Sequence, residues 1–132
     1  MSAALTIARD RARDRAIDVE FEPADALRLD RLGRTFDTVL DCGLFHTFNR
    51  DERPGYVASL ASVTRKDGTL FVLCFSDDEP ETGPHPVTQG ELRESFGPES
   101  GWRIAAIDAD RIQTRYHDEH GAPAWCATVN RE

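Results

Sequence analysis

Two apolar runs, Phe36–Leu40 and Thr69–Phe75, stand out from a polar background, and the stretch between them has helical spacing. The second run, TLFVLCF, does not alternate with polar residues, which predicts a parallel strand covered on both faces. Between the runs a helix is expected to start near Asp51, with Pro54 in its first turn and Tyr56 or Val57, Leu60 and Val63 on its core side. Asp67-Gly68 then turns the chain into the second run. Upstream, Ser2–Ala16 reads as a helix capped by Ser2, with Leu5, Ala8, Ala12 and Ala16 as a small-residue stripe suited to lying close to a sheet. Asp18–Glu22 alternates polar and apolar residues like a short strand ended by Pro23, Ala24–Leu27 is the strand's exit, and Leu29–Arg34 is a loop or a single helical turn.

Downstream of Phe75, Ser76–Pro86 is rich in acids, Gly and Pro and reads as a long surface loop. A short helix, Thr88–Phe96, follows with Thr88 and Glu91 as a capping box. Trp102–Ile107 and Arg111–Tyr116 form two strands or one kinked strand. His117–Pro123 is a turn and Ala124–Val129 a last strand. No repeat and no internal boundary interrupts residues 1–132, so the expected unit is a single domain. Strands alternating with helices and ending in a hairpin describe an α/β, doubly wound, mostly parallel sheet with an antiparallel C-terminal hairpin.

Composition narrows the functions. A net charge of −8 over 132 residues disfavours nucleic acid, because phosphate binding needs a basic face. The arginines near the N-terminus alternate with acids and read as a solvated helix face. No apolar run is long enough to span a bilayer, and no secretory signal pattern opens the chain, so no membrane partner is expected. Three cysteines, Cys42, Cys74 and Cys126, sit in or beside strands, which suits reduced thiols in a cytoplasmic protein.

The candidate chemistry lies at strand ends. Asp41-Cys42-Gly43 closes an apolar strand, placing a carboxylate and a flexible backbone at the carboxyl edge of a sheet, where open α/β folds bind ligands. An acid there equally serves to cap the next turn, with Gly43 required only by the bend. Asp25-Ala26 repeats the pattern after the preceding strand, again with turn capping as the ordinary alternative. Cys42 with His46 lacks the third group and the oxyanion site that a nucleophile–base pair needs. A metal site is not expected: His85, His117 and His120 lie far along the chain, and the acids around 117–120 are solvated.

From Asp18 to Phe75, with the terminal hairpin, the order of strand, acid and Gly, helix, turn and strand resembles class I S-adenosylmethionine-dependent methyltransferases. It is most similar to the small-molecule branch related to thiopurine methyltransferases. The resemblance covers nearly the whole chain and implies an enzyme with S-adenosyl-L-methionine as cofactor, moving a methyl group to O, N or S of a small-molecule acceptor. It implies that Asp25 accepts from the exocyclic amine of adenine while Ala26 donates a backbone N–H to the ring. It further implies that Asp41, Cys42 and Gly43 pack near the sulfonium and amino-acid end, with His46, beside Phe45 and Phe48, as a pocket wall.

Two departures qualify the match. Lys66-Asp67-Gly68 replaces the family's Pro-Gly-Gly type of turn before its fifth strand. No glycine precedes Gly33, so the family's Gly-x-Gly loop, its first two strands and the acid for the ribose hydroxyls have no counterpart in these residues. The expectation is an incomplete, Rossmann-like methyltransferase sheet whose truncated chain is weakly active or inactive alone. The alternative is a non-catalytic α/β module. In either case the strand at Phe36–Leu40 has an open edge that a homodimer would cover.

Overall fold

The computed structural model describes residues 3–77, 86–115 and 119–132. Both apolar runs become strands, β1 (Phe36–Cys42) and β2 (Thr64–Phe75), joined by helix α2 (Arg53–Ser62) with Pro54 in its first turn. They pair in parallel, with Leu40 opposite Phe71 and Asp41 opposite Val72. Two further strands, β3 (Trp102–Ile112) and β4 (Ala122–Arg131), complete one four-stranded sheet in the order β1-β2-β4-β3. β4 lies antiparallel to both of its neighbours, so among these four strands only the two joined through α2 pair in parallel. Helix α1 (Ala3–Asp14) precedes the sheet, and α3 (Gln89–Ser95) follows β2.

One face of the sheet holds the core. Leu70, Val72 and Cys74 of β2 pack with Ala127 and Val129 of β4 beneath Tyr56, Val57 and Leu60 of α2 and Leu92 of α3. Burying each large aliphatic or aromatic side chain there contributes about 1.5–3 kcal/mol. Trp102 sits edge-on to Phe96 and donates its indole N–H to the Val57 carbonyl, so β3 is tied to α2 by a polar contact as well as by packing. The expected capping box forms: Thr88 Oγ1 accepts the Glu91 amide, and Glu91 reaches back to the Thr88 amide.

Several expectations are corrected. Residues 18–22 form no strand: no strand among the described residues pairs with them, and Glu20 instead pairs with Arg34. The small-residue stripe of α1 is not packed on the sheet, since no residue of that helix is buried. On the face of β2 away from the core, Phe71, Leu73 and Phe75 are half-buried. Of the two alternatives at 102–116, the single kinked strand is the one found: β3 is continuous to Ile112, with its irregularity between Ile104 and Ala106. The Arg65–Gly68 turn lies inside β2 as a bulge. Gly68 is required there, because a Cβ would meet the Arg65 and Asp37 carbonyl oxygens at 2.8 and 2.9 Å. Ser2, most of the 76–86 loop with His85, and Tyr116 and His117 lie outside the described residues.

Candidate functional site

Asp41, next to last in β1, is a buried acid with both carboxylate oxygens engaged. Its Oδ1 accepts the Leu44 amide at 2.8 Å, and its Oδ2 accepts the Phe45 amide at 3.0 Å and the Tyr56 hydroxyl at 2.7 Å. These bonds shape the short 3-10 turn Phe45–Thr47, and Gly43, at φ 88°, supplies the left-handed bend that begins it. Burial pushes the Asp41 carboxyl above its ordinary range, against the pull of Tyr56 and the two amides. The Tyr56 phenol is raised in turn by burial and by the adjacent carboxylate. Asp41 therefore caps the turn after β1 and ties it to α2 through Tyr56.

His46 joins the ends of the two parallel strands. Its Nδ1 accepts the Phe75 amide at 3.1 Å, and its ring stacks on Phe75 with centroids 4.3 Å apart. A nitrogen that accepts an amide holds no proton, so the ring N–H is at Nε2 and the imidazole is a donor on that side. Cys42 is exposed on the strand end, whereas Phe45 is wholly buried in the core and is no pocket wall. The Gly43 amide donates to the Leu73 carbonyl at 2.9 Å, continuing the β1–β2 ladder to the turn.

Asp25 also closes a turn. Its Oδ1 accepts the Leu27 amide at 2.9 Å, and its carbonyl accepts the Arg28 amide at 2.8 Å. Only half of its side chain is used: among the described residues, no hydrogen bond occupies Asp25 Oδ2 or the Ala26 N–H. An unused acceptor and an unused donor therefore belong to consecutive residues of one fixed turn. That pair is complementary to the amine and ring-nitrogen edge of an adenine, so the residues present fit the group the resemblance implies.

The two segments meet on α2. Tyr56 holds Asp41, and Ser59 accepts the Leu29 amide at 2.9 Å while donating to the Ala26 carbonyl at 2.6 Å. Positions three apart are neighbours on one helix face, about 5–6 Å between Cβ atoms. The structure thus brings Asp41, Gly43 and His46 together at the β1–β2 ends and seats Asp25-Ala26 one helical turn along the same helix. Tyr56 and Ser59 were not singled out as site residues from the sequence. The available signal was a serine and a tyrosine at helical spacing on a face predicted to be apolar.

A second constellation stands apart. A cavity of about 420 Å³ between α2 and α3 is lined by Arg50, Arg53, Glu91 and Glu94 among others, and by none of the candidate site residues. Arg53 pairs with Glu91 and lies over the Phe45 ring at 5.0 Å, while Arg50 pairs with Glu94 at 3.3 Å. Burial pushes the Glu91 carboxyl up, but the Arg53 guanidinium and the Thr88 amide outweigh it and leave the group below its ordinary value. The largely buried Arg53–Glu91 pair ties α2 to α3, whereas the exposed Arg50–Glu94 pair adds little. Among the described residues no three His, Cys, Asp or Glu side chains converge as a metal would need, and no helix is long and apolar enough to cross a membrane.

Residues 1–68 match a family model described as a methyltransferase domain. A 2-heptyl-1-hydroxyquinolin-4(1H)-one methyltransferase of Mycobacteroides abscessus is 33% identical over 113 residues, covering 83% of this chain and 49% of that protein. An uncharacterised methyltransferase of Schizosaccharomyces pombe is 32% identical over 74 residues, 56% of this chain and 51% of that one. Among solved structures, a protein of echinomycin biosynthesis, studied for conversion of a disulfide bond into a thioacetal group, superimposes with a TM-score of 0.82 at 29% identity over 98% of this chain and 62% of that one. The magnesium protoporphyrin IX methyltransferase of Synechocystis, with bound S-adenosylmethionine, shares the fold at a TM-score of 0.69 and 18% identity, over 97% of this chain and 54% of that one. The chain spans about half the length of the curated relatives it matches.

Proposed function

Since the chain belongs to the methyltransferase-domain family, we propose that it carries one side of an S-adenosylmethionine site for methyl transfer to O, N or S of a small molecule. The observation that supports this most directly is the seating of Asp25-Ala26 and Asp41–His46 on neighbouring positions of α2. Asp25 Oδ2 and the Ala26 N–H would hold the adenine edge. The bend at Asp41-Cys42-Gly43, with His46 beside it, would line the amino-acid end and open toward the acceptor. When bound, the cofactor supplies an electrophilic methyl group. The chain's own part is alignment in a water-poor pocket, which alone is worth several orders of magnitude in rate. His46 is not a general base in this arrangement, because its one unprotonated nitrogen is committed to Phe75.

The small-molecule branch related to thiopurine methyltransferases is the proposed placement, supported by the likeness to a quinolone methyltransferase. Residues 1–132 are taken as one domain. The unpaired cysteines, one of them exposed, suit a reducing, cytoplasmic setting. These residues contain no Gly-x-Gly loop, so this chain by itself is proposed to hold the cofactor weakly. In a protein that also carries that loop, Asp25→Ala should weaken S-adenosylhomocysteine binding by about 1–3 kcal/mol, the scale of a stranded polar partner. Calorimetry showing no change removes Asp25 from the site.

A second reading, a self-associating module, is favoured by one observation. Leu40 is 69% exposed on β1, whose outer edge pairs with no strand among the described residues. Open edges invite pairing, and a homodimer through β1 is the proposed assembly.

A further inference from the structure

Ser59 is buried in α2, and its hydroxyl is used twice, once as acceptor from Leu29 and once as donor to Ala26. The single hydroxyl proton is therefore committed to the Ala26 carbonyl. That bond fixes the peptide plane after Ala26. The plane before Ala26 is fixed separately, because the Asp25 carbonyl accepts the Arg28 amide at 2.8 Å. Peptide units are planar, so a held carbonyl dictates where the N–H of the same unit points. The plane after Ala26, held by Ser59, aims the Leu27 N–H that ties down Asp25 Oδ1, and the plane before it aims the Ala26 N–H. Asp25, whose Oδ1 is tied to the Leu27 amide, keeps Oδ2 without a hydrogen bond among the described residues. The adenine-facing pair is thus built by contacts that themselves leave the ligand face free.

We propose that Ser59 is a positioning residue for the adenine edge of the cofactor: it anchors the Ala26–Leu29 arch to α2 so that Asp25 Oδ2 and the Ala26 N–H are held as a preformed acceptor–donor pair. This rests on the reading of Asp25-Ala26 as the adenine contact. Ser59 touches no ligand itself. Because Tyr56 on the same helix face holds Asp41, α2 acts as a rigid spacer between the two ends of the site. Loss of the Ser59 hydroxyl releases one end and leaves the other in place. Alanine is the best helix former, so Ser59→Ala removes the anchor without breaking α2.

The test titrates the isotope-labelled full chain with adenosine and with N6,N6-dimethyladenosine, whose amine has no proton to give to Asp25, and reads amide shifts by NMR. Wild type should bind adenosine more tightly than the dimethyl analogue. In Ser59→Ala that preference should fall about two- to tenfold, the equivalent of one hydrogen bond. The Leu29 amide should exchange faster, while the Leu44 and Phe45 amides, held by Asp41, should exchange as before. Ser59→Thr, which keeps the hydroxyl, should keep both the preference and the slow Leu29 exchange. A full preference in Ser59→Ala overturns the positioning role and leaves the adenine reading standing. A wild-type chain with no shifts at Asp25–Leu29 and no preference overturns both.

Discussion

The Tyr56 hydroxyl donates to Asp41 Oδ2 at 2.7 Å, fastening the helix between the parallel strands to the end of the first of them. Hydrogen bonds to charged groups are worth about 1.5–3 kcal/mol, so Tyr56→Phe should lower the unfolding free energy by about that amount. Asp41→Ala strands three donors and should cost more. Urea denaturation of the two single variants and the double variant checks this. Additive losses would show that the bond contributes nothing to the fold.

Asp41 and Glu91 should shape the pH profile in opposite senses. Glu91 is held below its ordinary value of 4.5, so the stability it contributes is present above that value and lost as pH falls through the depressed one. Asp41 is held above its ordinary 3.8, so its contribution is present below that value and lost as pH rises through the raised one. Glu91→Gln should therefore flatten the acid limb of unfolding free energy against pH, and Asp41→Asn should flatten the decline on the higher-pH side. Identical slopes in wild type and both variants would contradict these assignments.

The three thiols should react in order of exposure and ionisation. Cys74 is buried, and its thiol is pushed up to about 12 by burial first and by the nearby Asp41 charge second. Cys126 is raised by burial and by Asp110 and Asp108. Cys42 is exposed. Iodoacetamide on the native chain near pH 8, followed by peptide mass spectrometry, should label Cys42 first and Cys74 only on unfolding. Early labelling of Cys74 would show that the α2 face of the sheet opens readily.

The open edge of β1 should govern assembly. Leu40→Lys places a charge on an exposed edge position and should leave stability within about 0.5 kcal/mol of wild type. If chains pair through this edge, sedimentation at micromolar concentration should show a wild-type dimer and a Leu40→Lys monomer. A wild-type monomer whose Phe36–Leu40 amides are still protected from exchange would rule the dimer out.

The parallel pair, the intervening helix, the capping box and the terminal hairpin were legible in the sequence, because each rests on local periodicity or on a residue with one structural use. Long-range cover was not. The alternation at Asp18–Glu22 is a strand signal only if a neighbour pairs with it, and no strand among the described residues does, so the segment stays irregular. The Leu5–Ala16 stripe could not reveal that α1 would remain exposed. Asp25 and Asp41 were visible as candidates, but their turn-closing bonds depend on where the chain bends next. Ser59 escaped notice because a serine inside a helix pattern carries no local mark of the loop it anchors.

The most direct measurement is an amide-shift titration of the full chain with S-adenosylhomocysteine. Saturable shifts should appear at Ala26 and Leu27 and at Gly43 and Leu44, with a dissociation constant weaker than about 1 μM, and Asp25→Ala should remove the shifts at Ala26 and Leu27. Shifts confined to other residues, or none at millimolar ligand, would contradict the assignment of these two segments to a cofactor site.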